Sequence, residues 1–180
     1  MKKLFVSLLC VVIAASSMSV NAKNWRVFTD LNLGYGLSFV ELDEKEYSFG
    51  GMLLASTGYQ NNKLFIGCGT GFILSGETQS LPIYAQFRYD FFKNDPMAFT
   101  PFISLRAGYS LATSDDAESG IFANPTIGLR KGISETVGLN IGLSYSIYGK
   151  TAYYSYYYDK EEIDGNINAW GIFFNIGLDF

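Results

Sequence analysis

Alternation of apolar and polar side chains is the feature that most constrains what this chain can fold into. Between residues 27 and 39 the odd positions are mostly apolar, and the even positions are mostly Gly, Ser, Asn or Asp. Successive side chains of a β-strand point to opposite faces, so this pattern predicts a strand with one apolar and one polar face. Seven further segments repeat it: 49–59, 64–74, 81–91, 101–111, 121–131, 137–147 and 168–180. Most are about 11 residues long, the length of a tilted strand that crosses a lipid bilayer.

The connections that follow the odd-numbered segments are on average longer than those that follow the even-numbered ones. Loops are predicted at 41–46, 75–80, 112–120 and 148–167, and turns at 60–63, 93–100 and 132–136. Long loops on one rim, short turns on the other and an even number of strands are typical of outer-membrane barrels. Unpaired strand edges are costly in lipid, so the sheet must close. The predicted fold is therefore all-β, a closed eight-stranded antiparallel transmembrane β-barrel with up-and-down topology.

The polar face decides whether the apolar face points into the barrel or out to lipid. A soluble lipocalin-like barrel also has eight strands, but its water-facing side needs about 25 to 35% charged residues. The polar face here carries neither Lys nor Glu and holds most of the chain's 19 glycines. Its charges are Arg26, Asp30, Arg88, Asp90, Arg106, Arg130 and Asp179. Such a face suits a narrow, crowded lumen, so we expect a monomer whose apolar face contacts lipid.

Some positions depart from the regular pattern. Met52 and Leu54 are apolar but fall on the polar face of the second segment. Pro82 and Pro125 lack the N–H group that a sheet ladder needs, so we expect a bulge or a strand end at each. Cys68 falls on the apolar face, where we interpret it as a small apolar side chain.

The first residues have the composition of an export signal. Lys2 and Lys3 precede an apolar stretch from 4 to 15, and small residues lead up to Ala22. That stretch is too short to span a bilayer, which takes roughly 20 residues, so we expect export and cleavage after Ala22. The predicted organisation is a signal peptide at 1–22 and an outer-membrane barrel at 23–180. Only Cys68 remains after cleavage, so no intramolecular disulfide is expected.

Several segments resemble the small outer-membrane β-barrel proteins of Gram-negative bacteria, of the OmpX and OmpA-barrel kind. The likeness lies in LPIYAQFRYDFF (81–92), TPFISLRAGYSL (100–111), GIFANPTIGLRKGIS (120–134) and WGIFFNIGLDF (170–180). It covers essentially all of the mature chain and implies a fold rather than an activity. Members of this family end in an aromatic residue, preceded by apolar residues at alternate positions, that the outer-membrane assembly machinery reads. The resemblance implies this role for Ile176, Leu178 and Phe180.

The composition argues against catalysis and against nucleic acid. The chain has no histidine, whereas the families of outer-membrane barrel enzymes resemble one another in using a His beside a Ser or Asp. Asp30, Asp90 and Asp179 remain as acids, and we expect them to be structural. A net charge of −4 leaves no basic surface for nucleic acid. We therefore expect no enzymatic activity, no metal and no cofactor.

The charges on the polar face predict an ion-pair network in the lumen. Charged groups removed from water need partners, and strand direction brings most of these residues together in the periplasmic half of the barrel. The predicted members are Asp30, Arg88, Asp90, Arg106, Arg130 and Asp179. The same residues would form the selectivity ring of a narrow pore. An eight-stranded interior is only wide enough for side chains, which favours a plugged lumen.

The loops are the remaining place for a specific function. Acidic residues recur at 41–46, 115–118 and 159–164, which predicts a solvated outer rim or one that bridges lipopolysaccharide through divalent ions. Strands seven and eight are expected to extend as an exposed hairpin rich in tyrosine. Its tyrosines are Tyr153, Tyr154, Tyr156, Tyr157 and Tyr158. Open strand edges and tyrosine side chains favour an extracellular protein partner.

The sequence thus predicts an integral outer-membrane protein with a structural or adhesion-like surface role through its acidic and Tyr-rich loops. Its expected partners are outer-membrane lipid, lipopolysaccharide, the assembly machinery and an extracellular protein. A narrow porin-like channel and a soluble lipocalin-like binding barrel are the two alternatives.

Overall fold

The described part of the chain is built from β-strands. The computed structural model describes residues 24–41, 44–75, 78–92, 99–113, 117–134, 136–151, 155–158, 161–164 and 167–180. The strands are β1 Trp25–Glu41, β2 Glu44–Asn61, β3 Leu64–Ser75, β4 Thr78–Asp90, β5 Phe99–Ala112, β6 Ala117–Gly132, β7 Gly138–Thr151, β8 Ser155–Tyr158, β9 Glu161–Asp164 and β10 Ile167–Asp179. Within these residues no helix is long and apolar enough to cross a membrane. The predicted cleavage site at Ala22 lies outside the described residues.

Eight of the strands close into an antiparallel barrel. Their order around it is β1-β10-β7-β6-β5-β4-β3-β2, and β1 pairs with β10 to complete the ring. Phe180 N–H donates to the Val27 carbonyl at 2.9 Å, and Val27 N–H donates back at 3.2 Å. We call the end of the barrel that carries Asn24 and Phe180 the terminal rim, and the opposite end the hairpin rim. The predicted fold class is confirmed.

Side chains alternate between the lumen and the outer surface, as the sequence predicts. On β1, Leu31, Leu33 and Tyr35 are exposed, whereas Asp30 and Asn32 are buried. The outer surface of each of the other seven barrel strands also carries apolar side chains that are about half exposed. Examples are Phe49, Ile66, Ile83, Leu105, Ile127, Leu143 and Ile172. A water-facing surface would not carry such a continuous apolar band, which argues against the soluble lipocalin-like alternative.

The strands continue further toward the hairpin rim than the sequence predicts. The prediction of six-residue loops at 41–46 and 75–80 is wrong. Strand β1 reaches Glu41 and β2 begins at Glu44, and likewise β3 reaches Ser75 and β4 begins at Thr78. Beyond the apolar band the outer face meets water, so the hydrophobic alternation ends although the backbone pairing does not. The strands therefore extend beyond the residues whose alternating hydrophobicity predicted them.

The two prolines lie inside strands, and the bulges or strand ends expected at them are wrong. Pro82 pairs with Ser110 and Pro125 pairs with Leu105 in unbroken register. A strand residue directs its N–H and C=O toward one neighbour only, so a proline interrupts one ladder and leaves the other intact. On the interrupted side of Pro82, the Thr70 hydroxyl donates to the Pro82 carbonyl at 2.9 Å. Register shifts occur elsewhere, at Leu37/Phe39, Glu118/Phe122 and Asn168/Trp170.

A second, two-stranded sheet follows the barrel strand β7. In it β8 pairs with β9, from Ser155 opposite Asp164 to Tyr158 opposite Glu161. The expected extension of the last two barrel strands thus takes the form of a separate hairpin, the β8–β9 hairpin. It contains Tyr156, Tyr157 and Tyr158, whereas Tyr153 and Tyr154 lie outside the described residues.

Candidate functional site

The lumen between the terminal rim and mid-barrel holds three buried ion pairs. Arg88 Nε donates to Asp90 Oδ1 at 2.9 Å, and Arg130 Nη2 donates to Asp179 Oδ2 at 2.7 Å. Arg106 on β5 pairs with Asp30 on β1. Each of the six residues is at most 6% exposed. A charge taken out of water is stable only with a partner, so the pairing is what permits their burial.

Amide side chains add further donors to two of the carboxylates. Gln60 Nε2 donates to Asp90 Oδ2 at 3.2 Å, and Asn140 Nδ2 donates to Asp179 Oδ1 at 2.9 Å. Each of the three buried aspartates, Asp30, Asp90 and Asp179, is therefore held by an Arg. Among the described residues, no group of three or more His, Cys, Asp or Glu side chains is placed to hold a metal ion.

Aromatic rings enclose Arg88 near the terminal rim. The Arg88 guanidinium carbon lies 3.7 Å from the ring centroid of Phe102 and 4.8 Å from that of Phe28. Phe28 in turn meets Phe65 edge-on at 4.6 Å. Cation–π contacts of this kind stabilise a desolvated guanidinium, so these rings help to close the lumen at this end.

Apolar side chains fill the lumen from mid-barrel toward the hairpin rim, a layer that the sequence reasoning missed. We call it the apolar layer, and its members are Met52, Leu54, Ile73, Tyr84, Phe122, Tyr148, Ala169 and Phe173. All are between 0 and 4% exposed. The departure of Met52 and Leu54 from the alternation was a signal of this layer, because an apolar residue on the polar face marks an apolar lumen position. Ile73, Tyr84, Phe122 and Phe173 carry the same signal in their own segments.

Glycines make room for these large side chains. A Cβ atom on Gly69 would lie 2.7 Å from the Tyr84 ring, and one on Gly71 would lie 2.6 Å from Leu54 Cδ2. The Tyr84 hydroxyl is 3.1 Å from Ser56 Oγ, so its polar end is also accommodated. Glycine at positions 69 and 71 thus leaves the space that the Tyr84 ring and the Leu54 side chain occupy.

Two residues of the expected assembly signal, Ile176 and Leu178, lie on the outer face of β10, and Phe180 comes directly after this strand. Ile176 is 43% exposed and Leu178 is 37% exposed. They pair with Leu31 and Thr29 of β1, and Phe180 follows at the terminal rim. All three therefore line the ladder that closes the barrel.

No protein-family model matches this sequence, and no curated protein matches it. Solved structures do. Neisserial surface protein A (NspA) is similar with a TM-score of 0.58 at 16% identity, over 86% of this chain and 95% of that one. The outer membrane protein OprG from Pseudomonas aeruginosa is similar with a TM-score of 0.50 at 13% identity, over 87% of this chain and 96% of that one.

The chain has the fold of a small outer-membrane β-barrel. The resemblance seen in the sequence is thereby confirmed at the level of the fold. Together with the apolar outer surface, this fold supports the predicted location in the outer membrane.

Proposed function

We propose that this small outer-membrane barrel is closed to solutes and acts at its hairpin rim, in a structural or adhesion-like role at the cell surface. The observation that carries the proposal is the double closure of the lumen. Ion pairs and the rings around Arg88 occupy the part nearer the terminal rim, and the apolar layer occupies the part nearer the hairpin rim. A channel needs a continuous path of water through the lumen, and a layer of buried apolar side chains interrupts that path.

Planar-bilayer recording tests the closure. Protein refolded in detergent is expected to give no single-channel steps when added to the bilayer. Phe122→Ser and Phe173→Ser each remove a large ring from the apolar layer. The conductance of these variants measures whether a path for ions opens when the layer loses a ring. Regular steps from the unsubstituted protein would favour the narrow porin-like channel and refute the proposal.

The β8–β9 hairpin is the proposed contact surface for an extracellular protein. Its two strands pair with each other over Ser155–Tyr158 and Glu161–Asp164, so the outer edges of the hairpin offer backbone groups to a further strand. Cells that display the chain should bind a protein-coated surface more strongly than cells that display Tyr157→Pro, because proline blocks strand addition. Equal binding by both would remove the hairpin from the proposed function.

The remaining steps of this proposal concern export and partners. We propose cleavage after Ala22, recognition of Ile176, Leu178 and Phe180 by the assembly machinery, and a monomer surrounded by lipid and lipopolysaccharide. Mass spectrometry of the protein from outer membranes checks the cleavage site and the oligomeric state. Enzymatic activity is not part of the proposal, because Asp30, Asp90 and Asp179 are each occupied by an Arg.

A further inference from the structure

The outer wall of the barrel carries a groove that is centred on β5, β6 and β7 and is bounded by Phe87 of β4 and Ile172 of β10. Its volume is about 560 Å³. Its lining is almost entirely apolar and includes Ile103, Leu105, Pro125, Ile127 and Leu143. Apart from the hydroxyl residues that face the lumen, these side chains belong to the surface that the proposed membrane location turns toward lipid.

Pro125 accounts for the depression. The β6–β7 ladder pairs Ala123 with Ile147 and Thr126 with Ser144, but the positions between them are unpaired. The compact Pro125 ring is surrounded by taller side chains, with Tyr145 and Ile172 on the next two strands. A short residue at an interrupted ladder, flanked by large ones, leaves a groove in the wall.

A cation lies below this groove at the terminal rim. Lys131 pairs with Phe99 in the β5–β6 ladder, and its Nζ is 5.0 Å from the Phe99 ring centroid. Among residues 99–113, 119–134 and 136–148, whose side chains the structure describes (Glu135 apart), it is the only charged side chain on an outward position. Ile127 lies four residues along β6 from Lys131, about 13 Å at 3.3 Å per residue. That span is close to half of the roughly 30 Å hydrocarbon core.

We propose that this wall binds one glycerophospholipid of the periplasmic leaflet, with its phosphate at Lys131 and one acyl chain in the groove. The inference rests on the proposed membrane orientation, in which the terminal rim faces the periplasm. The charge of Lys131 complements a phosphate, and the groove is continuous with the lipid-facing surface. Lipopolysaccharide enters from the opposite leaflet, so its own phosphates lie too far from Lys131 for this arrangement.

Native mass spectrometry of the protein in mild detergent, with palmitoyl-oleoyl phosphatidylglycerol added, tests the inference. The unsubstituted protein should retain one lipid. Lys131→Gln should weaken retention about fivefold, the loss of roughly 1 kcal/mol for one interfacial cation. Ile127→Trp, which fills the groove, should weaken it more strongly.

Two matched variants control for unspecific effects. Lys63→Gln removes a terminal-rim cation whose ammonium is bound to the Phe91 carbonyl at 2.8 Å, and Leu33→Trp enlarges an exposed side chain on the far wall. Both should retain lipid like the unsubstituted protein, and each variant must keep the SDS-gel shift of a folded barrel.

Three results would overturn the inference. Undiminished retention by Ile127→Trp would exclude the groove, and undiminished retention by Lys131→Gln would exclude the headgroup contact. A dimer that Ile127→Trp dissociates would make the groove an interface between two copies. If the protein still sediments with outer membranes, each of these three results refutes the lipid site but leaves the proposed membrane function intact. A protein that is soluble without detergent would refute the membrane function itself.

Discussion

Arg106 on β5 and Asp30 on β1 form an ion pair between opposite walls of the barrel. Three strands separate β1 from β5 in either direction around the ring. The Tyr148 hydroxyl on β7 donates to Ser75 Oγ on β3 at 3.0 Å, and these strands are also opposite each other. One of these two cross-links lies in the ion-pair region and the other near the hairpin rim, so together they fix the barrel's cross-section.

Removing one side of the ion pair should destabilise the barrel strongly. Arg106→Met leaves the Asp30 carboxylate buried without its partner, which costs about 3 to 5 kcal/mol. The double variant Asp30→Leu, Arg106→Met removes both charges and should recover most of that loss. Urea unfolding of protein refolded into lipid vesicles, followed by tryptophan fluorescence, measures both.

Arg26 provides the comparison for this experiment. It is only partly buried and donates to the Thr136 carbonyl at 3.2 Å at the terminal rim. Arg26→Met should therefore change the free energy of unfolding by about 1 kcal/mol or less. If Arg106→Met cost no more than Arg26→Met, the cross-lumen pair would not be a stabilising element.

The barrel and its two faces could be predicted because alternation reports directly on strand geometry. Positions such as Asp30 and Leu31 differ in polarity, and the pleat alone assigns them to opposite faces. The pairing of Asp30 with Arg106 could not be predicted, because it depends on the stagger of strands around the ring. Stagger is a property of the closed barrel and leaves no local mark on either strand.

The apolar layer shows a second limit of periodicity. Tyr84, Phe122 and Phe173 occupy the face that also carries Gly and Arg, so an average over the face conceals them. Whether a lumen position is apolar or charged depends on its height in the barrel, and residues at one height come from distant parts of the chain. The ends of the strands could not be predicted from periodicity either, because β1 continues to Glu41 after its hydrophobic alternation has stopped.

Alanine at Gly69 should destabilise the barrel, whereas alanine at Gly51 should not. A Cβ at Gly69 would collide with the Ala55 carbonyl oxygen and lie 2.7 Å from the Tyr84 ring. A Cβ at Gly51 would make ordinary contacts, 3.5 Å from Leu33 Cδ2 and 3.7 Å from the Asn32 carbonyl oxygen. We expect Gly69→Ala to cost about 1 to 3 kcal/mol and Gly51→Ala to be neutral or slightly stabilising. Unfolding in urea compares the two, and equal effects would contradict the close packing described at Gly69.

Deleting residues 153–164 should leave the barrel folded. The closed ladder runs from β7 directly to β10, and β8 pairs only with β9 among the described strands. A closed barrel resists SDS until it is heated, so the boiled and unboiled deletion protein should migrate differently on a gel. Loss of this shift would mean that the β8–β9 hairpin belongs to the folding unit, and would weaken its assignment as a contact surface.

Phe180→Ala should impair assembly in cells more than folding in the test tube. Backbone hydrogen bonds join Phe180 to Val27 and survive the substitution, so refolding in detergent should still give the gel shift. An aromatic end that the assembly machinery reads would be lost, and the amount of protein in outer membranes should fall several-fold. Phe174→Ala serves as the control, because Phe174 is 50% exposed on the outer face of the same strand without being terminal. Equal loss with both variants would indicate a general need for aromatic surface on β10 and would contradict a terminal assembly signal.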